Sequence, residues 1–350
     1  MDDPSTPVLE IDVSRQFTAW LAEVNLSIAV TTYQSGKLFL FGLKPNGELS
    51  VFERTLNRTM GMAGDSQTLW ISSLYQLWRF ENALGPGEEH LEHDRLFVPQ
   101  LGYTTGDIDI HDVGIDPDGQ PIFVSTAFSC LAKPSNTHSF EPIWKPSFIG
   151  KIAGEDRCHL NGLAMVQGEP SLVTAVAVSD VTDGWRDKRV GGGILMDVPS
   201  GEIVVNGLTM PHSPRVYRDL IWVLNSGTGE FGIVDPEKGL LEPVAWLPGY
   251  ARGLAFVDQF AVIGLSAPRD GTKTFKGLPL DETLSEKAAT PWCGIVIVDL
   301  KNFDIVHWLR FEGIVSELYD VALLEGAVRP MALGFKTDEI RRMLTIKSDF

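Results

Sequence analysis

Three of the seven histidines open equivalent short segments: His111-Asp-Val-Gly114, His159-Leu-Asn-Gly162 and His212-Ser-Pro-Arg215. A lone histidine is usually structural, but three in register suggest a shared task. Neutral imidazoles converging on one axis form a nitrogen set for a divalent metal. Zinc held by three histidines keeps an open fourth position, and iron or copper accepts the same donors. His111, His159 and His212 are therefore the expected ligands of one divalent ion. The same first position in three further segments is Arg58, Tyr250 and Tyr319. The metal is expected to activate a water or hydroxyl. Arg58 is expected to grip a substrate, and Tyr250 or Tyr319 to move a proton. Arg215 and Arg252 have the forked geometry that binds a carboxylate. Asp107, Asp109, Asp112, Asn161, Glu317 and Asp320 lie next to these positions and are candidates to orient an imidazole or a water.

Such a ring needs a symmetric scaffold. The six segments begin at residues 58, 111, 159, 212, 250 and 319, and each interval is long enough for four strands. Four of them carry Gly at the fourth place and one carries Ala, which suits strands crowded around an axis. Between them the chain reads as short strands, such as Leu26–Tyr33, Lys37–Leu43, Leu49–Thr55, Thr68–Ser73 and Leu77–Phe80. Tight turns such as Asp116-Pro-Asp-Gly119 separate them. This periodicity predicts an all-β, six-bladed β-propeller, with an asymmetric sandwich as the competing architecture. The strands of residues 26–55 lack an inner partner, so the strand beginning at Tyr319 is expected to supply it and close the ring. The Tyr33-Gln34 and Tyr75-Gln76 pairs recur in neighbouring blades. Three regions follow: residues 1–25 with a short helix over Ser14–Asn25, the propeller over 26–336, and a helical tail over 337–350.

Alternating strand direction puts the loops that enter the inner strands on one face. The segments Cys130–Trp144, Asp180–Gly192 and Ser266–Trp292 are expected to wall that face. They carry Trp185, Arg186, Arg189, Arg269 and Trp292. Trp185, Arg186 and Arg269 join Arg215 and Arg252 as expected substrate-binding residues for an anionic or amide-bearing ligand.

The 350 residues carry a formal net charge of -17, which disfavours nucleic acid and anionic membrane surfaces as partners. Three widely spaced cysteines form no CxxC pair. Cys158 reads as a buried structural thiol. The N-terminus has no apolar run of the secretory type, and a cytoplasmic protein is expected. No GxSxG elbow is present, and Ser226-Gly-Thr-Gly229 lacks the spacing of a phosphate loop.

The stretches Cys158–Ala164, Met210–Arg215 and Pro248–Phe256 resemble a bacterial family of conserved hypothetical proteins, sometimes described as tetratricopeptide-associated. The ring alone is similar to the peptidyl-hydroxyglycine alpha-amidating lyase family, a six-bladed propeller with zinc on three histidines. Its Met-Pro-His triplet matches Met210-Pro211-His212. That resemblance implies a small amino-acid-like or peptide substrate, with Arg58 and Tyr250 or Tyr319 as counterparts of its arginine and tyrosine. The lyase is secretory and disulfide-bonded, features absent here. His159-Leu-Asn-Gly162 also resembles a strand of gluconolactonase-like propellers, whose sites use Glu, Asn and Asp. The expected activity is a metal-dependent lyase or hydrolase. An iron or copper oxidase or oxygenase, and a non-enzymatic binding propeller, are the alternatives.

Overall fold

The computed structural model describes residues 9–268 and 276–346. Arg269 lies outside the described residues. Six sheets, antiparallel but for one edge pair, form the six blades of a β-propeller. Their inner strands are Met62–Gly64, Ile110–Ile115, Leu160–Val166, Pro211–Tyr217, Tyr250–Val257 and Leu318–Glu325. Each overlaps one of the six sequence segments, the first only at Met62 and Ala63.

The pattern of burial explains the strands. Second and third strands are covered by neighbouring blades on both faces, so they are buried along nearly their whole length. Leu26–Thr32 is buried at every position, and Cys293–Asp299 at all but its last. Outermost strands alternate instead, as in Leu49–Thr55. Between the last and first blades, Phe39 and Phe41 meet Phe311 at ring distances of 5.1 and 5.8 Å. The helix Phe17–Glu23, shorter than expected, adds Phe17, Trp20 and Leu21 to this cluster.

Ring closure follows the expected route. Leu318–Glu325 pairs with Leu26–Thr32, with Ala322 opposite Ala29. Two further strands were not foreseen. Glu10–Val13 forms the outer edge of the last blade against Ile305–Glu312. Pro330–Ala332 pairs in parallel with Arg95–Thr104 at the edge of the second blade. The tail is not the expected helix: a single 3-10 turn spans Asp338–Arg341, and Ile340 and Met343 pack beside Leu96 and Met331.

The glycines of the inner strands seat neighbouring strands. A Cβ on Gly162 would lie 2.9 Å from the Ser213 nitrogen, and one on Gly253 would lie 2.8 Å from the Val321 nitrogen. Gly253 also has φ of +74°, which disfavours a side chain.

One loop assignment is corrected. Cys130–Lys133 and Glu141–Trp144 are the third and fourth strands of one blade, so their hairpin opens on the opposite face. The long entry connection there is 145–159, which leads into the strand beginning at Leu160. The segment 176–192 and the described parts of 267–292 do belong to the entry face. The second contains the helix Pro279–Glu286. Cys130, Cys158 and Cys293 are buried free thiols. Burial pushes the Cys158 thiol up to about 12, so it is inert. No helix among the described residues is long and apolar enough to cross a membrane.

Candidate functional site

Three consecutive inner strands deliver His111, His159 and His212 to the entry end of the channel. All three are buried. The residues entering these strands adopt left-handed backbone, with positive φ at Asp109, Asp156, His159 and Met210. This sharp entry turns the side chains inward at the start of each strand.

Hydrogen bonding fixes two of the rings. His111 Nδ1 lies 3.0 Å from the Asp109 carbonyl oxygen, which only accepts. The nitrogen therefore carries the proton, and Nε2 holds the lone pair. His159 Nδ1 lies 2.9 Å from the Asp156 carboxylate, which also accepts from Trp185 Nε1 at 2.8 Å. Burial alone would raise the Asp156 carboxyl, but the facing His159 and the Trp185 bond hold it below the usual carboxylate range. His159 thus also presents its Nε2. Trp185 covers this imidazole, with ring centres 4.2 Å apart.

The rings form one cluster. His111 stands edge-on to His159 at 5.0 Å and to Tyr319 at 5.3 Å. The Arg252 guanidinium lies 5.1 Å from the Tyr319 ring and donates to Glu317 at 2.9 Å, both side chains being buried. Burial pushes the His111 pKa down to about 4. Burial, then the Arg252 charge, holds His212 well below its ordinary value. Both are neutral at pH 7. The buried His212 Nε2 and the buried Tyr319 hydroxyl have no hydrogen-bond partner among the described residues. An unmatched buried polar atom is costly, so each of these marks a place where a bound group would be stabilising.

The remaining predicted residues distribute as follows. Arg58 sits at the rim, paired with Asp107 and 3.6 Å from Asp109, with its guanidinium 5.9 Å from the Tyr33 ring. Tyr250 does not join the ring. Its hydroxyl donates to Asp281 at 2.8 Å, and it packs with Trp185, Leu278, Leu280 and Leu284 beneath the helix Pro279–Glu286. Burial, then the Asp281 bond, raises its pKa, so it anchors the helix Pro279–Glu286 as a neutral phenol. Arg186 points to solvent, pairs with Asp183 at 2.9 Å and lies 4.5 Å from the Trp185 ring.

Arg215 is held deeper in the channel, away from the entry turns. It donates to Asp112 at 3.0 and 3.3 Å and to the carbonyls of Leu163, Pro214 and Leu254. Asp320 stands 4.0 Å away. Asp112 also accepts from the Leu163 nitrogen, and Asp320 from the Met62 nitrogen. This arrangement ties the inner strands of all six blades together and stops the channel with a polar plug.

Sequence reasoning missed Asp156, Tyr33 and Asp281. The one signal for Asp156 is the acidic residue shortly before a ring histidine, shared with Asp109. Among the described residues, no group of three or more His, Cys, Asp or Glu stands in an arrangement that could hold a metal ion as it is. The donor chemistry nevertheless suits a divalent ion: the imidazoles of His111 and His212 are neutral, those of His111 and His159 have Nδ1 occupied, and the His212 Nε2 is buried without a partner.

One solved structure shares the fold at a TM-score above 0.5, and others align more weakly. A structure described as a nidogen/laminin complex aligns with a TM-score of 0.52 at 10% identity, covering 86% of this chain and 99% of that one. A protein of unknown function from Bacteroides caccae aligns at 0.49 and 10%, covering 86% and 99%. A catalytically inactive virginiamycin B lyase from Staphylococcus aureus with quinupristin aligns at 0.41 and 10%, covering 87% and 99%. No curated protein sequence matches. At the level of sequence, residues 15–333 match the family described as a domain of unknown function, DUF4915, and the chain belongs to that family.

Proposed function

We propose that the channel mouth is the active site of a metal-dependent lyase or hydrolase acting on a small amino-acid-like or peptide substrate. What supports this reading is the edge-on pair of His111 and His159 from neighbouring blades, with His212 of the next blade near enough to feel the charge of both. His111 and His159 have their Nδ1 occupied, and His212 keeps a buried Nε2 without a partner. His111, His159 and His212 would hold the ion. A bound divalent ion supplies Lewis acidity and lowers the pKa of a coordinated water or hydroxyl. Asp156 and the Asp109 carbonyl orient their imidazoles, as outer partners of metal-bound histidines do. Burial raises the Tyr319 pKa far above neutral, so its hydroxyl stays protonated and serves as donor to a substrate oxygen. Trp185 closes one side and excludes water. Arg252, held by Glu317, places positive charge beside the substrate.

Among the described residues these histidines do not already stand as a metal-ready group, which favours a second reading in which they bind a polar ligand directly, together with Arg252 and Tyr319. Mass spectrometric metal analysis of tag-free protein, beside His212→Ala, separates the two. About one equivalent of zinc, lost in the variant while the far-ultraviolet circular dichroism is kept, supports lyase or hydrolase chemistry. Iron or copper lost in the same way shifts the assignment to an oxidase or oxygenase. No metal in either protein after anaerobic reconstitution sinks the metalloenzyme and leaves a binding propeller.

A further inference from the structure

A second cleft opens on the entry face between the first and second blades, with a volume of about 830 Å³. Its floor carries the two Tyr-Gln pairs that recur in the sequence. Tyr33-Gln34 follows the strand Leu26–Thr32, and Tyr75-Gln76 straddles the equivalent turn one blade on. The repeat thus places two phenol rings and two primary amides around one space.

The cleft is a framed feature. The Leu74 nitrogen donates to the Asn57 carbonyl at 2.8 Å, and the Thr105 nitrogen to the Tyr75 carbonyl at 3.0 Å. The Leu56 nitrogen donates to the Gly36 carbonyl at 2.8 Å. One wall is an aromatic stack, in which Trp78 and Phe335 meet with ring centres 4.3 Å apart. Tyr75 is 49% exposed and Gln34 is exposed, so the recognition groups reach solvent.

The chemistry of the lining selects a ligand class. Exposed aromatic faces accept the C–H face of a pyranose, and amides and hydroxyls pair with its ring hydroxyls. Gln34, Gln76, Asn57, Ser35 and Ser73 supply those polar groups. No carboxylate lines the cleft, although the chain carries a net charge of -17. We infer that this cleft is a saccharide-binding subsite. It touches the channel mouth through shared residues: Tyr33 lies 6.1 Å from Tyr319 ring to ring, and Arg58 lines both. A glycosylated substrate can therefore place its sugar here and its reactive end at the histidines. The subsite itself needs no metal.

The test is saturation-transfer NMR on the whole protein with neutral hexoses, their disaccharides and hexuronic acids. At least one saccharide is expected to show transfer, weakened about tenfold by Tyr75→Ala and measurably by Gln34→Ala, both surface changes. Binding is expected to be unchanged after treatment with a chelator, which separates this inference from the metal reading. Absence of transfer from every saccharide overturns it, as does binding that survives both substitutions. Transfer from short peptide amides alone overturns it as well.

Discussion

Replacing Arg215 by Met removes the cation from a plug that holds two buried carboxylates. The side chain fits the space, but Asp112 loses contacts of 3.0 and 3.3 Å, and three carbonyls lose a donor. Asp112 and Asp320 are each 3% exposed, so water does not replace the guanidinium. Removing one partner from a buried ion pair costs about 3–5 kcal/mol. For 350 residues, with an unfolding entropy of about 2.1 cal/mol/K per residue, that lowers the melting temperature by about 4–7 °C. The sign of the pH dependence is fixed. Burial, then the neighbouring Asp112, already raises the Asp320 pKa, and loss of the cation raises it further. A carboxyl whose folded pKa exceeds its unfolded value contributes stability at low pH and loses it as pH rises through the folded value. The variant's deficit is therefore larger at pH 8 than at pH 5. Adding Asp112→Asn removes the repulsion and is expected to restore about 1 kcal/mol or more. Urea unfolding followed by fluorescence and circular dichroism at both pH values measures this. A loss under about 1 kcal/mol, or one equal at the two pH values, refutes the plug.

Four further outcomes are expected. Asp156→Asn leaves the fold intact and weakens metal retention about 10–100-fold in competition with a chelator, because the His159 ring loses its charged acceptor. Tyr250→Phe loses the bond to Asp281, costs about 1–2 kcal/mol and speeds protease cleavage within 267–292, with the blades unaffected. Gly253→Ala forces a side chain at φ of +74° against the Val321 nitrogen and destabilises by about 1–3 kcal/mol in thermal unfolding. His111, whose folded pKa is depressed to about 4, refuses a proton that the unfolded chain accepts near pH 6.5. Metal-free protein therefore loses about 2–3 kcal/mol from this residue between pH 7 and 4.5, and His111→Gln flattens that slope.

The scaffold was legible because its cause is periodic. Most inner strands carry a small residue where the next strand crosses, and Gly61, Gly162 and Gly253 mark such crossings. The histidine ring was legible for the same reason, since equivalent positions in a cyclic repeat share a height. Tyr250 shows where this logic stops. It occupies an equivalent position, but its partner Asp281 comes from a loop insertion 31 residues away that no repeat constrains. Arg215 illustrates a different limit. An arginine near a channel reads as a ligand-binding group until the buried carboxylates Asp112 and Asp320, brought from other blades, are seen to claim it. The edge strand Glu10–Val13 is short and alternates in burial only weakly, so its pairing with the last blade had no local signal.

The closure of the first blade has a consequence for synthesis. Residues 26–32 leave the ribosome early and wait for a partner almost 300 positions downstream, in the strand Leu318–Glu325. Loop closure over that length is slow. All three histidines emerge well before the wait ends, whereas Tyr319 and the carboxylate that holds Arg252 arrive with the closing strand itself. A nascent chain therefore displays its nitrogen donors before the other half of the site exists. Completion of the circle and completion of the pocket are one event, so an unfinished chain carries no finished site.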